Sequence, residues 1–194
     1  MKRDICVYLA GKIQKAHEHA NESYWTEEDC DLIRNALPDY QVHFLNPAFR
    51  TDDLSDQKSV FGRDMTQVYS ADFVFVDARD RRGLGVGAEM MWAKVNQRPV
   101  ITLAPLGSHY HKEQTSLLGV EVEGWMHPFV EHLSDVVVED LREGAEWMCA
   151  FLNGDTGPAK NLDYVDETMQ YYFETQFEHD QPMQELALAG VLDG

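Results

Sequence analysis

Tyr8, Asp64, Asp72, Asp77, Asp80 and Glu89 are the side chains whose types and positions could carry chemistry. Glu89 closes the stretch Gly83-Leu84-Gly85-Val86-Gly87-Ala88, shortly after the apolar run Phe73-Val74-Phe75-Val76. A strand, a glycine loop and a helix start would set this carboxylate at the mouth of a sheet. Glycines there leave a ligand room against the backbone. Acids gathered beyond a sheet suit a nucleophile paired with a general acid, the arrangement that cleaves glycosidic bonds.

Each residue also has an ordinary explanation. An acid in the first helical turn is a partner for the helix dipole, a contribution of about 0.3–1 kcal/mol. Tyr8 is equally a strand-end tyrosine with its hydroxyl in water, Asp64 a solvated charge on a helix, and Asp72 a cap between helix and strand. Asp80, within Arg79-Asp80-Arg81-Arg82, reads by default as half of a surface ion pair.

The elements that must position these groups alternate along the chain. Apolar runs at 5–10, 42–45, 71–77, 98–103 and 135–138 read as strands. Helical patterns cover 27–36, with Thr26 as N-cap and Asp29 completing a capping box, then 60–70, the stretch after the glycines to about 95, and 141–152. Residues 48–58 read as a loop, and 105–124 as a long polar segment containing Gly and His. This alternation implies an α/β fold: a flavodoxin-like, doubly wound, five-stranded parallel sheet with helices on both faces. Ligands of such sheets sit beyond the carboxyl ends of the strands, where Tyr8, Asp77, Asp80 and Glu89 fall. The α/β domain is expected over 1–153. An acidic, aromatic tail over 154–194 is expected to be helical and to pack on the body or on a neighbouring subunit.

Composition removes several functions. With 34 acidic against 16 basic residues the net charge is −18, which repels polyanions, so a nucleic acid polymer is not an expected partner. No apolar run reaches the roughly 20 residues of a membrane span. The opening Met1-Lys2-Arg3-Asp4 has no leader-like apolar stretch, so the expected location is the cytoplasm. Cys6, Cys30 and Cys149 are odd in number and far apart, and are expected as buried thiols rather than disulfides or metal ligands. His109, His111, His127 and His132 match no known metal spacing, and no metal is expected. Gly83-x-Gly85-x-Gly87 is not a dinucleotide fingerprint, and no Walker lysine follows it.

Taken together, these residues resemble the nucleoside 2-deoxyribosyltransferase family over roughly residues 4–104. Val7-Tyr8-Leu9-Ala10-Gly11 resembles its opening strand motif. Asp64 followed by Ala71-Asp72 and an apolar strand is similar to its central block. Gly83-Leu84-Gly85-Val86-Gly87-Ala88-Glu89, with Pro99-Val100 beyond, resembles its nucleophile segment. The resemblance implies Glu89 as nucleophile at the anomeric carbon and Tyr8 as the hydroxyl that orients it. It further implies Asp64 on the sugar or base edge, and Asp80 handling the proton on the departing base. Gly11, Asn46, Asp72, Gly83, Gly85 and Gly87 are expected to line the substrate.

No cofactor is implied, the partner is a small-molecule nucleoside or nucleotide, and a homo-oligomer with shared active sites is expected. The interface is expected around 108–115 and the tail. The glycine wording is closer to the branch that hydrolyses 2′-deoxynucleoside 5′-monophosphates, which has a serine where Gly83 stands. Arg50, Arg81 and Arg82 could compensate a phosphate. Transfer to a second base, hydrolysis of a nucleotide, a non-catalytic nucleotide sensor and a TIR-like NAD hydrolase all remain open at this point.

Overall fold

The computed structural model describes residues 2–11 and 25–192. They divide into two compact units, Met1–Lys160 and Asn161–Gly194.

The first unit is built on a parallel sheet of β1 (Arg3–Ala10), β2 (Tyr40–Leu45), β3 (Phe73–Asp77), β4 (Val100–Leu103) and a last strand, β7 (Val136–Val138). Their order is β2-β1-β3-β4-β7. Taken as successive strands of this one sheet, that is the 2-1-3-4-5 arrangement of flavodoxin-like folds. Alternation along the strands sorts the core into two layers. Ile5, Val7 and Leu9 of β1 join Phe73, Phe75, Ile101 and Leu103 on one face, with Ile33, Leu37, Leu141 and Met148 packed over them. These come from α1 (Glu27–Ala36), its C-cap, and α5 (Leu141–Asn153). Tyr8 and Ala10 join Val74, Val76 and Val100 on the other face, under Val68, Met90 and Ala93. Those belong to α2 (Gln57–Ser70) and α3 (Leu84–Val95). The parity of β1 therefore decides that Tyr8 looks toward α2 and α3.

The Thr26–Asp29 capping box forms as read from the sequence. On α5, Gly144 lies where a Cβ would stand 2.4 Å from Phe75 Cζ and 3.2 Å from Ile101 Cγ2. Gly144→Ala gains at most about 1 kcal/mol of helix propensity. It also forces the ring of a fully buried Phe75 aside, at about 1–3 kcal/mol. The expected result is a lower midpoint in urea with an unchanged slope.

Two expectations are corrected here. Residues 105–124 are not an irregular segment: β5 (His111–Leu117) and β6 (Val120–Met126) form an antiparallel hairpin. Its turn residues Leu118 and Gly119 have φ of 52° and 85°, the paired positive values that match the twist of a two-residue hairpin turn. The short helix α4 (Pro128–Leu133) then leads to β7. Of the cysteines only Cys30 is buried; Cys6 and Cys149 are half-buried, and all three are free thiols.

The second unit holds α6 (Leu162–Thr175), a short 3-10 turn (Phe177–His179) and α7 (Gln181–Leu188). An edge contact of Tyr172 and a tilted contact of Phe173 with Phe177 tie it together, with Tyr172 Oη donating to Asp180 Oδ2 at 2.9 Å. No described helix is long and apolar enough to cross a membrane.

Candidate active site

Tyr8 lies on β1 and Glu89 on the helix that follows β3, so the two meet above the β1–β3 boundary. In this strand order that boundary is the topological switch point. The Tyr8 hydroxyl donates to Glu89 Oε1 at 2.8 Å. Tyr8 is fully buried and Glu89 is 9% exposed. The other carboxylate oxygen, Oε2, is buried with no hydrogen-bond partner among the described residues.

The helix begins at Leu84, earlier than the sequence suggested, with Gly83 as N-cap. Gly85 and Gly87 thus lie inside it, and Glu89 stands in the second turn rather than the first. The dipole explanation loses force there, since that effect fades beyond the first turn. Each internal glycine costs about 1 kcal/mol relative to alanine. A Cβ at Gly83, Gly85 or Gly87 would meet nothing within 4 Å. Packing among the described residues does not demand these glycines, so they leave space at the helix start.

Burial pushes the Glu89 carboxyl up to about 7, helped by the negative charge of Asp64 and opposed by the Tyr8 hydrogen bond. Burial, then the charge and hydrogen bond of Glu89, hold the Tyr8 phenol well above its ordinary range. Tyr8 therefore remains a donor whatever the state of its partner. Asp64, on α2 with its side chain 16% exposed, sits between Arg50 Nη1 at 3.3 Å and Arg63 Nη1 at 3.5 Å. Its carboxyl is raised by burial, while the two guanidiniums pull it down.

Asp77, at the end of β3, is a buried hub. Arg79 Nε reaches its Oδ1 at 2.9 Å and Arg82 Nη2 its Oδ2 at 2.8 Å. The Arg82 side chain also donates to the Asp77 carbonyl, and Arg79 pairs with Asp29 of α1. These bonds fix the loop that delivers Gly83. Tyr110 Oη accepts the Arg82 backbone N–H at 2.7 Å and walls a hollow of about 270 Å³, lined also by Gly83, Val86, Gly87, Met90 and His127.

The fold is a known one. A conserved protein from Enterococcus faecalis V583 matches with a TM-score of 0.50 and 18% identity, over 75% of this chain and 96% of that one. A 2-deoxyribosyltransferase from the psychrotolerant bacterium Bacillus psychrosaccharolyticus matches with a TM-score of 0.49 and 14% identity, over 80% and 98%. No family model and no curated protein matches the sequence. The first of these likenesses shows a shared fold and nothing of the chemistry.

The structure gathers Tyr8, Asp64 and Glu89, and does not gather all the rest. Asp72 precedes β3 at the opposite edge of the sheet, where its Oδ2 accepts the Cys6 N–H at 2.8 Å. The register pairs Tyr8 with Val74, so Asp72 lies two residues, roughly 7 Å at 3.3 Å per residue, below the level of Tyr8 on the N-terminal side of the sheet. Asp80 is exposed in the loop after β3, and Arg79 and Arg82 turn to Asp77 instead. Gly11 lies at the right edge but has a local reason to be glycine, because a Cβ there would stand 3.2 Å from Trp25 Nε1. Asn46 follows β2 at the same edge, buried, with Oδ1 accepting the Ala48 N–H at 2.9 Å. Of the three arginines offered by the sequence as phosphate partners, Arg50 and Arg82 are committed to carboxylates, and Arg81 lines the hollow beside Gly83. Sequence reasoning missed Asp52, Arg63 and Tyr110. Arg63 directly precedes Asp64, which was a usable signal; the other two are brought in only by loop and hairpin folding. Among the described residues no group of His, Cys, Asp and Glu is placed to hold a metal ion.

Proposed function

We propose that the protein cleaves the N-glycosidic bond of (deoxy)nucleosides through a covalent glycosyl–Glu89 intermediate and passes the sugar to another base. The observation that carries this reading is the buried carboxylate at the switch point. One of its oxygens is fixed by Tyr8 and the other has no partner among the described residues.

Ionised Glu89 attacks the anomeric carbon with Oε2 as the bond to the base breaks and positive charge develops on the sugar. The electron pair of that bond leaves with the base, which takes up a proton. Asp80, at the exposed rim of the loop before Gly83, is the proposed proton handler. General acid help of this kind contributes about 10²–10⁴ in rate. A second base then attacks the same carbon, giving its N–H proton back to the proton handler as Glu89 departs, and configuration is retained overall. Tyr8 holds the attacking carboxylate, and Asp64 accepts a hydrogen bond from the sugar. The open surface at Gly83, Gly85 and Gly87 receives the substrate. The reading needs no cofactor, and it includes a homo-oligomer with shared sites, in line with the family resemblance.

Arg50 and Arg82 already neutralise carboxylates, so a 5′-phosphate would turn to Arg81, which lines the hollow beside Gly83. The test is incubation with 2′-deoxynucleosides, followed by chromatography for free base and, after a second base is added, for the new nucleoside. Release that requires a 5′-phosphate and ends in free sugar phosphate would replace this reading with a hydrolase. Binding without any release would leave a nucleotide sensor.

A further inference from the structure

We propose that Arg50, braced by Asp52, is a positioning residue that fixes Asp64 beside the Tyr8–Glu89 pair so that it can hold the sugar. The proposal rests on the glycosidic reading above. Arg50 is committed on two sides. Its Nε meets Asp52 Oδ1 at 2.8 Å and its Nη2 meets Asp52 Oδ2 at 2.6 Å, a two-pronged pairing that fixes the guanidinium plane. The remaining nitrogen, Nη1, is left to reach Asp64 Oδ1 at 3.3 Å. The side chain is only 8% exposed, so this charge has been taken out of water to make those contacts.

Arg63 holds the same Asp64 oxygen from the other side at 3.5 Å and is itself tied down, Nη2 donating to the Phe49 carbonyl at 2.8 Å. Asp64 Oδ1 is therefore gripped twice, while Oδ2 accepts no hydrogen bond from the described residues. A carboxylate with one oxygen clamped and the other unused is oriented for an outside donor, and a sugar hydroxyl is the donor this site expects. Every charged or titratable group identified around Asp64 enters the balance: Arg50 and Asp52 from the 46–56 loop, Arg63 from α2, Tyr8 from β1 and Glu89 from α3. Both carboxylates are raised by burial, and the guanidiniums oppose the rise at Asp64 alone. The clamp thus offsets at Asp64 the burial that Glu89 meets without a guanidinium, and keeps Asp64 an acceptor for the sugar.

The experiment compares Arg50→Met, Arg50→Lys and Asp52→Asn with wild type, each checked for folding by thermal melting. KM and kcat for a deoxynucleoside are measured against pH. Asp64 is titrated directly by ¹³C NMR of labelled aspartate carboxyls, assigned with Asp64→Asn. Arg50→Met is expected to raise KM about tenfold or more, the loss of a charged hydrogen-bonding partner, and to move the Asp64 titration upward in pH. Arg50→Lys restores the charge but not the fork, so the titration returns toward wild type while KM stays high. Asp52→Asn leaves the Arg50 charge in place but loosens it, raising KM without an upward shift. An unmoved Asp64 titration in folded Arg50→Met overturns the clamp, whatever turnover does. If the titration shifts as expected but wild type neither binds nor cleaves any nucleoside, the sugar-holding role and the glycosidic reading fall together, and only the electrostatic clamp survives.

Discussion

Glu89→Gln is expected to abolish turnover and, above neutral pH, to make the protein more stable. The first half follows from the attacking oxygen: an amide cannot form the glycosyl ester, and loss of a nucleophile costs on the order of 10⁴-fold or more. The second half follows from burial. The folded carboxyl sits at about 7 against an ordinary 4.5, so the folded state binds its proton more tightly than the unfolded chain does. Stability from this group is fully present below 4.5 and is lost as pH rises through 7. The difference amounts to roughly 3 kcal/mol at 1.36 kcal/mol per pH unit. Glutamine keeps the acceptor for the Tyr8 hydroxyl and removes the buried charge. The measurement is the difference in unfolding free energy between the two proteins at pH 5 and pH 8. It should grow with pH in favour of Glu89→Gln, and a difference that stays flat would contradict a buried, shifted carboxyl. Tyr8→Phe provides the companion result. Removing a hydrogen bond to the charged form raises the Glu89 carboxyl further, so the acidic limb of kcat/KM should move to higher pH. A downward move would show that Tyr8 does not stabilise the ionised nucleophile.

The same residues show how far a sequence can be read. The first strand was legible as the apolar run Ile5-Cys6-Val7-Tyr8-Leu9-Ala10, but the face that Tyr8 takes, under the helices that carry Asp64 and Glu89, comes from the packing of α2 and α3. The helix start was misplaced because Gly85 and Gly87 have poor helix propensity. Tertiary context carried α3 back to Leu84 regardless. The hairpin was illegible for a different reason. Its strands are mostly polar and its turn is Leu118-Gly119, without the Asn-Gly or Asp-Gly that ordinarily announces such a turn. Asp72 was drawn into the site by motif position alone, and the direction of β3 puts it at the far edge. Long-range charge assignments were the least legible. Nothing in Arg79-Asp80-Arg81-Arg82 says that Asp77 rather than Asp80 takes the arginines.

At that far edge, Asp135→Ala is expected to destabilise the fold much more than Lys94→Met, although the two side chains form one pair. Lys94 Nζ lies 2.5 Å from Asp135 Oδ2, with the side chains 1% and 4% exposed. Asp135 does more than balance that charge. Its Oδ2 accepts the Val100 N–H at 2.6 Å and its Oδ1 the Lys160 N–H at 2.6 Å, joining α3, the start of β4 and the approach to β7. Burial already pulls the Lys94 ammonium down, and the charge of Asp135 is the main force opposing it. Removing the carboxylate strands a buried cation and two backbone donors, a loss of about 3–5 kcal/mol. Lys94→Met leaves a carboxylate that keeps both backbone bonds and a second neighbouring cation, Lys160, and fills similar volume. Its expected cost is about 1–2 kcal/mol. Urea unfolding of both single variants and the double variant gives the coupling directly. Equal losses from the two single changes would mean that the ion pair alone, and not the backbone bonding of Asp135, holds this edge. Activity per folded molecule should change little in all three, since Lys94 lies five residues, roughly 7.5 Å of helix rise, beyond Glu89 on α3.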